Sequence, residues 1–223
     1  MVKMKRNVFN KLFLIFLFIS IHARELNADR RLGIKMVLVP YGKISINNTS
    51  FGVEKSEEFD VGFSLYGEGT IGRYLAIGGI IRVIPVDIKW NVDESDYYYN
   101  DNRVGIEYHL NPYFKFRYPF YKSDEVYLSF EGGLSVVDFF EFGECFCLDS
   151  SCGCDYMEEL KTQTGFNLSG MSGIKFNITD KGSPAKVFLL FEGGYSWSTV
   201  YPGGMDYISF QKVLINLGLG LDF

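Results

Sequence analysis

Beyond residue 28, this chain of 223 residues has no apolar run long enough to cross a membrane as a helix. The same part holds a single histidine, His109, and the whole chain has only two tryptophans and six prolines. Any membrane-spanning part of the mature chain must therefore consist of strands. The shortage of histidine leaves no two-histidine cluster and no specific Ser/His/Asp constellation, so we do not expect an enzyme.

The first 28 residues have the pattern of an export signal. A basic start is followed by an apolar core of nine residues at 12–20, which is too short for a membrane-spanning helix. No cysteine follows this core closely, so nothing supports a lipid anchor. We predict a signal peptide over 1–28, with cleavage after Ala28 favoured over cleavage after Ala23, and one mature domain over 29–223.

The mature chain carries 17 basic and 26 acidic side chains and is about nine charges negative. This balance excludes nucleic acid as a partner, because phosphate binding requires the opposite sign. The whole sequence has 24 glycines, 21 phenylalanines and 15 tyrosines, a composition that suits an all-β fold.

The last stretch of the chain alternates strictly between apolar and small or polar residues. One set comprises Val213, Ile215, Leu217, Leu219, Leu221 and Phe223, and the other Asn216, Gly218, Gly220 and Asp222. A period of two places these sets on opposite faces of one strand. The chain stops on an aromatic residue rather than on a polar tail.

Eight segments of this kind are predicted, at about 31–44, 57–69, 73–90, 103–118, 124–142, 162–178, 185–201 and 207–223. The connections near 70–72, 119–123 and 179–184 are short, whereas those near 45–56, 91–102 and 143–161 are longer and polar. Only 202–206 breaks this alternation. An even number of strands with short turns at one end predicts an eight-stranded antiparallel up-and-down transmembrane β-barrel.

One short motif occurs twice. Residues 127–135 in the fifth segment are similar to residues 188–196 in the seventh, and both contain Phe-Glu-Gly-Gly. Both segments run in the same direction, so we expect Glu131 and Glu192 inside the barrel at a similar height.

The alternating segments and the terminal Phe223 resemble small bacterial outer-membrane β-barrels of the OmpA, OmpX and OmpW type. The resemblance covers essentially the whole mature chain. It implies an outer-membrane location in a Gram-negative-type bacterium, contact with outer-membrane lipid and lipopolysaccharide, and both termini in the periplasm. It also implies that the barrel-assembly machinery recognises Phe223. We expect a monomer without a cofactor.

Alternation turns a set of charged side chains inward, where an eight-stranded barrel has room for little beyond side chains. These residues are Lys35, Asp60, Glu68, Arg82, Glu107, His109, Lys115, Arg117, Glu131, Lys175 and Glu192. Buried charges must pair, which predicts a plugged lumen. If the second turn centres on Ile71, Arg82 pairs with Asp60, or with Glu58 after a shift of two residues. The alternative is a narrow polar pore, or a proton path through His109.

Four cysteines lie within ten residues of one predicted loop, at Cys145, Cys147, Cys152 and Cys154. A loop of an exported protein lies in an oxidising compartment, where disulfides form. Bonds from Cys147 to Cys152 and from Cys145 to Cys154 would give two nested disulfides. A tetrahedral thiolate metal site is the alternative.

The favoured function is structural or surface-interacting, with the acidic loops and the cysteine segment contacting a surface ligand. A transport role similar to that of the OmpW type is the alternative, and it requires an apolar pocket near Tyr41 and Tyr66. A third interpretation, enzymatic modification of lipid A, would use Glu107 and His109 with Ser64 or Ser169 opposite. It is not favoured, since this spacing is common by chance.

Overall fold

In a computed structural model, the chain forms a closed antiparallel β-barrel. The structure describes residues 30–47, 52–57, 60–94, 97–121, 124–140, 162–179, 186–201 and 207–223. The strands are β1 (Arg30–Asn47), β2 (Gly52–Glu57), β3 (Asp60–Ile71), β4 (Leu75–Glu94), β5 (Tyr97–Tyr121), β6 (Asp124–Phe140), β7 (Thr162–Asn177), β8 (Lys186–Val200) and β9 (Tyr207–Asp222).

The nine strands make a ring of eight. β2 pairs with one end of β1 and β3 pairs with the other, so β2 and β3 together occupy one position in the ring. Each later strand pairs with its predecessor, and β9 closes the ring on β1. At the seam, Arg30 and Phe223 exchange two backbone hydrogen bonds of 3.0 Å. The predicted eight-stranded barrel is confirmed.

We call the end at which Arg30 and Phe223 meet the terminal end, and the opposite end the far end. The turn between β3 and β4 lies at the terminal end and contains Gly72 with φ of 66°, a conformation that glycine adopts without a Cβ clash. This turn pairs Ile71 with Leu75. The predicted centre at Ile71 was therefore wrong by two residues.

Two connections predicted as long loops are largely strand. β4 and β5 remain paired up to Glu94 and Tyr97, so most of 91–102 is a hairpin and not a loop. Likewise, β1 and β2 pair from Gly42 with Glu57 to Asn47 with Gly52. Strand pairing gives the backbone N–H and C=O groups of these segments hydrogen-bond partners within the protein. In a loop the same groups would bond to water.

The two faces of the sheet have the polarity opposite to that of a soluble protein. In β3, Val61, Phe63 and Leu65 are about half exposed, whereas Ser64 and Glu68 are buried. This pattern recurs around the ring, so the outside is apolar and the interior holds most of the buried charge. No helix in the described part of the chain is long and apolar enough to cross a membrane.

Four aromatic side chains in the lumen each lie opposite a glycine of the neighbouring strand. Tyr66 pairs with Gly33, Tyr113 with Gly78, Tyr127 with Gly173 and Phe188 with Gly220. A Cβ at each of these glycines would come within 2.3–2.7 Å of the facing ring. Each glycine therefore makes room for one ring, which explains how a narrow barrel holds four of them.

The repeated Phe-Glu-Gly-Gly motif has the same arrangement in β6 and β8. Phe130 and Phe191 are exposed on the outside, at 48% and 47%, whereas Glu131 and Glu192 are buried in the lumen. The second glycine of the β8 motif, Gly194, is crowded by the backbone of β7. The two copies of the motif therefore have the same orientation in the barrel wall, with the phenylalanine outside and the glutamate inside.

Gly193 and Gly194 provide a matched test of this crowding. An added Cβ at Gly194 would lie 2.2 Å from the carbonyl oxygen of Gly170, whereas one at Gly193 meets nothing within 4 Å. We expect Gly194→Ala to destabilise the barrel by about 1–3 kcal/mol through overpacking. Gly193→Ala should leave stability nearly unchanged. Urea unfolding in lipid vesicles measures both, and equal midpoints would contradict the packing described.

Candidate functional site in the barrel lumen

The structure places the predicted inward charges inside the barrel. Asp60 and Arg117 are partly exposed near the two ends, and the remaining nine are buried: Lys35, Glu68, Arg82, Glu107, His109, Lys115, Glu131, Lys175 and Glu192. Among the described residues, three further charged side chains are buried that were not predicted: Arg31, Glu125 and Lys212. The alternation that selects Lys35, Glu131 and Asp222 also selects these three, so the signal was present in the sequence.

Arg31 is the centre of the network at the terminal end. Its guanidinium lies 2.9 Å from the carboxylate of Glu68, 2.5 Å from that of Glu125 and 2.8 Å from that of Asp222. Arg117 approaches Glu125 at 3.4 Å. One arginine of β1 thereby bridges β3, β6 and β9 across the lumen.

Two lysines complete this cluster. Lys115 lies 2.5 Å from Glu68, which also accepts a 2.7 Å hydrogen bond from Tyr113. Lys175 lies 2.6 Å from Asp222. Each cation of this cluster thus lies next to a carboxylate. Buried charges need such partners because they have lost their contact with water.

A second cluster is centred on Glu192, deeper in the barrel. Its two carboxylate oxygens each accept a hydrogen bond of 2.8 Å from Lys35, and they also accept one from Tyr127 at 2.7 Å and one from Asn216 at 2.8 Å. The ammonium of Lys35 lies 4.5 Å from the ring centroid of Tyr66. Lys35 and Glu192 join strands on two sides of the closing strand.

Arg82 pairs with a carboxylate other than the one predicted. Its Nη2 lies 2.8 Å from Glu131 of β6, across the lumen. Because the turn is displaced by two residues from the predicted centre, the residue opposite Arg82 in β3 is Ser64 and not Asp60. The predicted pairing of Arg82 with Asp60 was wrong for this reason, and the alternative partner, Glu58, lies outside the described residues.

A third cluster surrounds Glu107 towards the far end. This carboxylate lies 2.8 Å from His109 Nε2 and 2.9 Å from Lys212 Nζ. It also accepts hydrogen bonds from Ser135 at 3.0 Å and Ser198 at 2.5 Å. The two hydroxyls thus point to the carboxylate, and Ser169, proposed for an enzymatic site, donates to Ser196 at 2.9 Å.

Apolar side chains are buried at the register of this cluster and beyond it towards the far end. All of the following have no exposed surface: Val39, Val86, Val137, Val200, Ile208 and Phe210. Tyr66 is buried deeper in the lumen, but Tyr41 is 51% exposed on the outside. A register shift between Leu38 and Tyr41 reverses the alternation of β1. The pocket near Tyr41 and Tyr66 that a transport role requires would need Tyr41 to face inward, and this part of the expectation was wrong.

The four cysteines lie outside the described residues, as does Glu58. Within the described part of the chain, no group of three or more His, Cys, Asp or Glu side chains is arranged to hold a metal ion.

A closed β-barrel with an apolar outside and paired charges inside belongs to the class of transmembrane β-barrels. No family model matches the chain, and no curated protein matches it. Several solved outer-membrane barrels are similar in fold.

Neisserial surface protein A has 13% identity and a TM-score of 0.48, over 87% of this chain and 97% of that one. The outer membrane protein OprG from Pseudomonas aeruginosa has 10% identity and a TM-score of 0.48, over 88% and 96%. Ail, the attachment invasion locus protein of Yersinia pestis, was solved in complex with the heparin analogue sucrose octasulfate. It has 13% identity and a TM-score of 0.44, over 88% and 99%. At this similarity the comparisons concern the fold alone.

The pair of Lys35 and Glu192 provides a test of the network. Glu192→Gln keeps the side-chain shape but leaves the Lys35 ammonium without its carboxylate, which should destabilise the barrel by about 3–5 kcal/mol. Lys35→Met combined with Glu192→Leu should recover most of this loss. Urea unfolding of Lys35→Met, of Glu192→Leu and of the combined variant forms a double-mutant cycle. Additive effects would show that the pair is not coupled.

Proposed function

We propose that this protein is an outer-membrane β-barrel with a closed lumen that acts through its structure and its outer surface, and not as a conduit. The observation that carries the proposal is the set of ion pairs that cross the lumen at three depths, centred on Arg31, Glu192 and Glu107. Each of these side chains is at most 5% exposed.

Opening this lumen would separate desolvated charges. Breaking one buried pair typically costs about 3–5 kcal/mol, and here several pairs share partners through Glu68 and Glu107. Buried rings of Tyr66, Tyr113 and Phe188 fill the space between the clusters. A passing solute would have to displace both kinds of contact, which supports a plug rather than a pore.

The outer surface and the resemblance to outer-membrane barrels support an outer-membrane location. Leucine, isoleucine, valine and phenylalanine side chains are exposed on strands around the ring, a surface suited to lipid and lipopolysaccharide. Tyr74, Tyr118 and Tyr121 are more than half exposed near the terminal end, where tyrosine suits the headgroup level. We place this end in the periplasm and the far end outside the cell, with the barrel acting as a monomer.

A surface-interaction role is supported by the length of β4 and β5. Within the described residues, the last pair of β5 with β6 is Val104 with Phe140, and β4 and β5 continue together to Glu94 and Tyr97. The paired backbone of β4 and β5 thus continues for several residues towards the far end. A ligand at the cell surface could contact this hairpin.

Transport of a small hydrophobic molecule is the second candidate. The apolar layer that includes Val86, Val200 and Phe210 at the far end favours it, since such a layer could receive an apolar ligand after rearrangement. The charged clusters beneath this layer oppose continued passage along the axis. Enzymatic activity on lipid A is not expected, and the mass of lipid A from cells that express the protein tests this directly.

We expect the purified barrel to migrate faster in detergent gels before heating than after heating, and to give no conductance steps above background in a planar bilayer. The first result reports the folded barrel and the second its closed lumen. The double variant Ile208→Ala with Phe210→Ala removes two large apolar side chains from the lumen at the far end. Its lumen should also stay closed, because the charged clusters remain. Steady conductance by the wild type would contradict the plug.

The proposed role of Phe223 in assembly can be separated from its role in ring closure. The backbone of Phe223 forms hydrogen bonds with that of Arg30, and the residue is 52% exposed. Phe223→Ala keeps the backbone bonds and removes the ring, so we expect slower insertion in cells but nearly unchanged stability after refolding in vitro. Phe223→Tyr serves as the control. Normal insertion of the alanine variant would show that the ring is not the assembly signal.

A further inference from the structure

An open groove of about 660 Å³ lies against the outer surface near the terminal end. Its walls include Phe116, Leu128 and Phe191, which are 54%, 53% and 47% exposed. This volume falls within the range of roughly 300–1,000 Å³ of small-molecule sites. These three wall side chains project outward, whereas Arg117 and Tyr127, which also line the groove, take part in the lumen clusters.

The groove exists because small residues interrupt the apolar wall. Across the outside of the sheet, Phe116 pairs with Leu128, Leu128 with Ser172 and Ser172 with Gly193. Ser172 turns its hydroxyl to the carbonyl oxygen of Gly193 at 3.2 Å, so this polar group is satisfied within the wall. The large side chains of Phe116 and Leu128 are therefore followed by the small residues Ser172 and Gly193, which leave the outer surface low at this point. Phe191 forms the wall of the groove on the other side.

An arginine lies beside the terminal end of the groove, next to the lining residue Tyr74. Tyr74 and Tyr118 line the groove and stack with ring centroids 6.5 Å apart. The guanidinium of Arg73 lies 5.4 Å from the ring centroid of Tyr74, and Arg73 is exposed in the turn. The groove therefore has an apolar part towards the barrel middle, and Arg73 places a positive, hydrogen-bonding group beside its terminal end.

We propose that this groove binds one glycerophospholipid, with an acyl chain between Phe116 and Phe191 and the phosphate at Arg73. An apolar channel next to an exposed arginine matches the two parts of a phospholipid, since guanidinium pairs with phosphate through directed hydrogen bonds. The inference rests on the proposed membrane location, because only a membrane-inserted barrel presents this face to lipid. With the terminal end in the periplasm, the groove faces the leaflet made of glycerophospholipid.

Native mass spectrometry of the detergent-solubilised full chain with added phosphatidylglycerol tests the site. The wild type should retain one lipid through collisional activation. Ser172→Leu fills the groove with an apolar side chain, and Arg73→Gln removes the cation. Each should lower the retained fraction by about tenfold, a difference of about 1.4 kcal/mol. Both positions are exposed, so neither change should prevent folding.

Two matched controls separate the site from general lipid affinity. Thr164→Leu adds the same apolar side chain on the outer face of β7 away from the groove, and Arg30→Gln removes another arginine at the terminal end. Both should retain the lipid as the wild type does. Equal retention by Ser172→Leu and Thr164→Leu would overturn the site, and so would preferential retention of lipid A in a parallel titration.

The heat-modified gel shift separates failure of this inference from failure of the proposed function. A barrel that shows the shift and inserts in membranes but retains no lipid contradicts the groove alone. A chain that shows no shift and stays soluble contradicts the membrane location and the groove together.

Discussion

The structure depends on the pairing of its first strand with its last. β1 and β9 share a ladder from Arg31 with Asp222 to Asn47 with Tyr207. Without it, both strands would present a row of unpaired N–H and C=O groups, which lipid cannot satisfy. Closure also defines an inside and an outside. The same alternation along each strand then directs apolar side chains to lipid and charges to the lumen.

Closure brings together charges that are far apart in sequence. Arg31 meets Glu125 across 94 residues, and Lys35 meets Glu192 across 157. Each charge would be costly alone in this narrow interior, so the desolvation penalty is offset only where a partner from another strand arrives at the same depth. The pairing of charges across the lumen is therefore a product of the closed ring. It also supports the proposed function, since a barrel held together through its lumen leaves its surfaces for interaction.

The packing of the lumen depends on glycines as well as on ion pairs. The glycines opposite Tyr66, Tyr113, Tyr127 and Phe188 allow four rings to lie flat in the lumen. Two of these rings, Tyr113 and Tyr127, donate hydrogen bonds to Glu68 and Glu192. The aromatic layer and the charged clusters are thus one connected core. On the outside, small residues of β7 and β8 have the opposite effect and leave the groove proposed as a lipid site.

The sequence by itself determined the number of barrel strands, their approximate limits and which charges face inward. Alternation of side chains between two faces is a local property of a strand, and it does not depend on which strand lies beside it. The sequence even held the signal for Arg31, Glu125 and Lys212. The tertiary structure alone decided register and partner: the turn at 72–74 displaced Arg82 from Asp60 to Ser64, and a shift near Leu38 turned Tyr41 outward. Pairing across the lumen depends on the relative heights of distant strands. Those heights are set by turns, bulges and ring closure, which alternation within one strand does not specify.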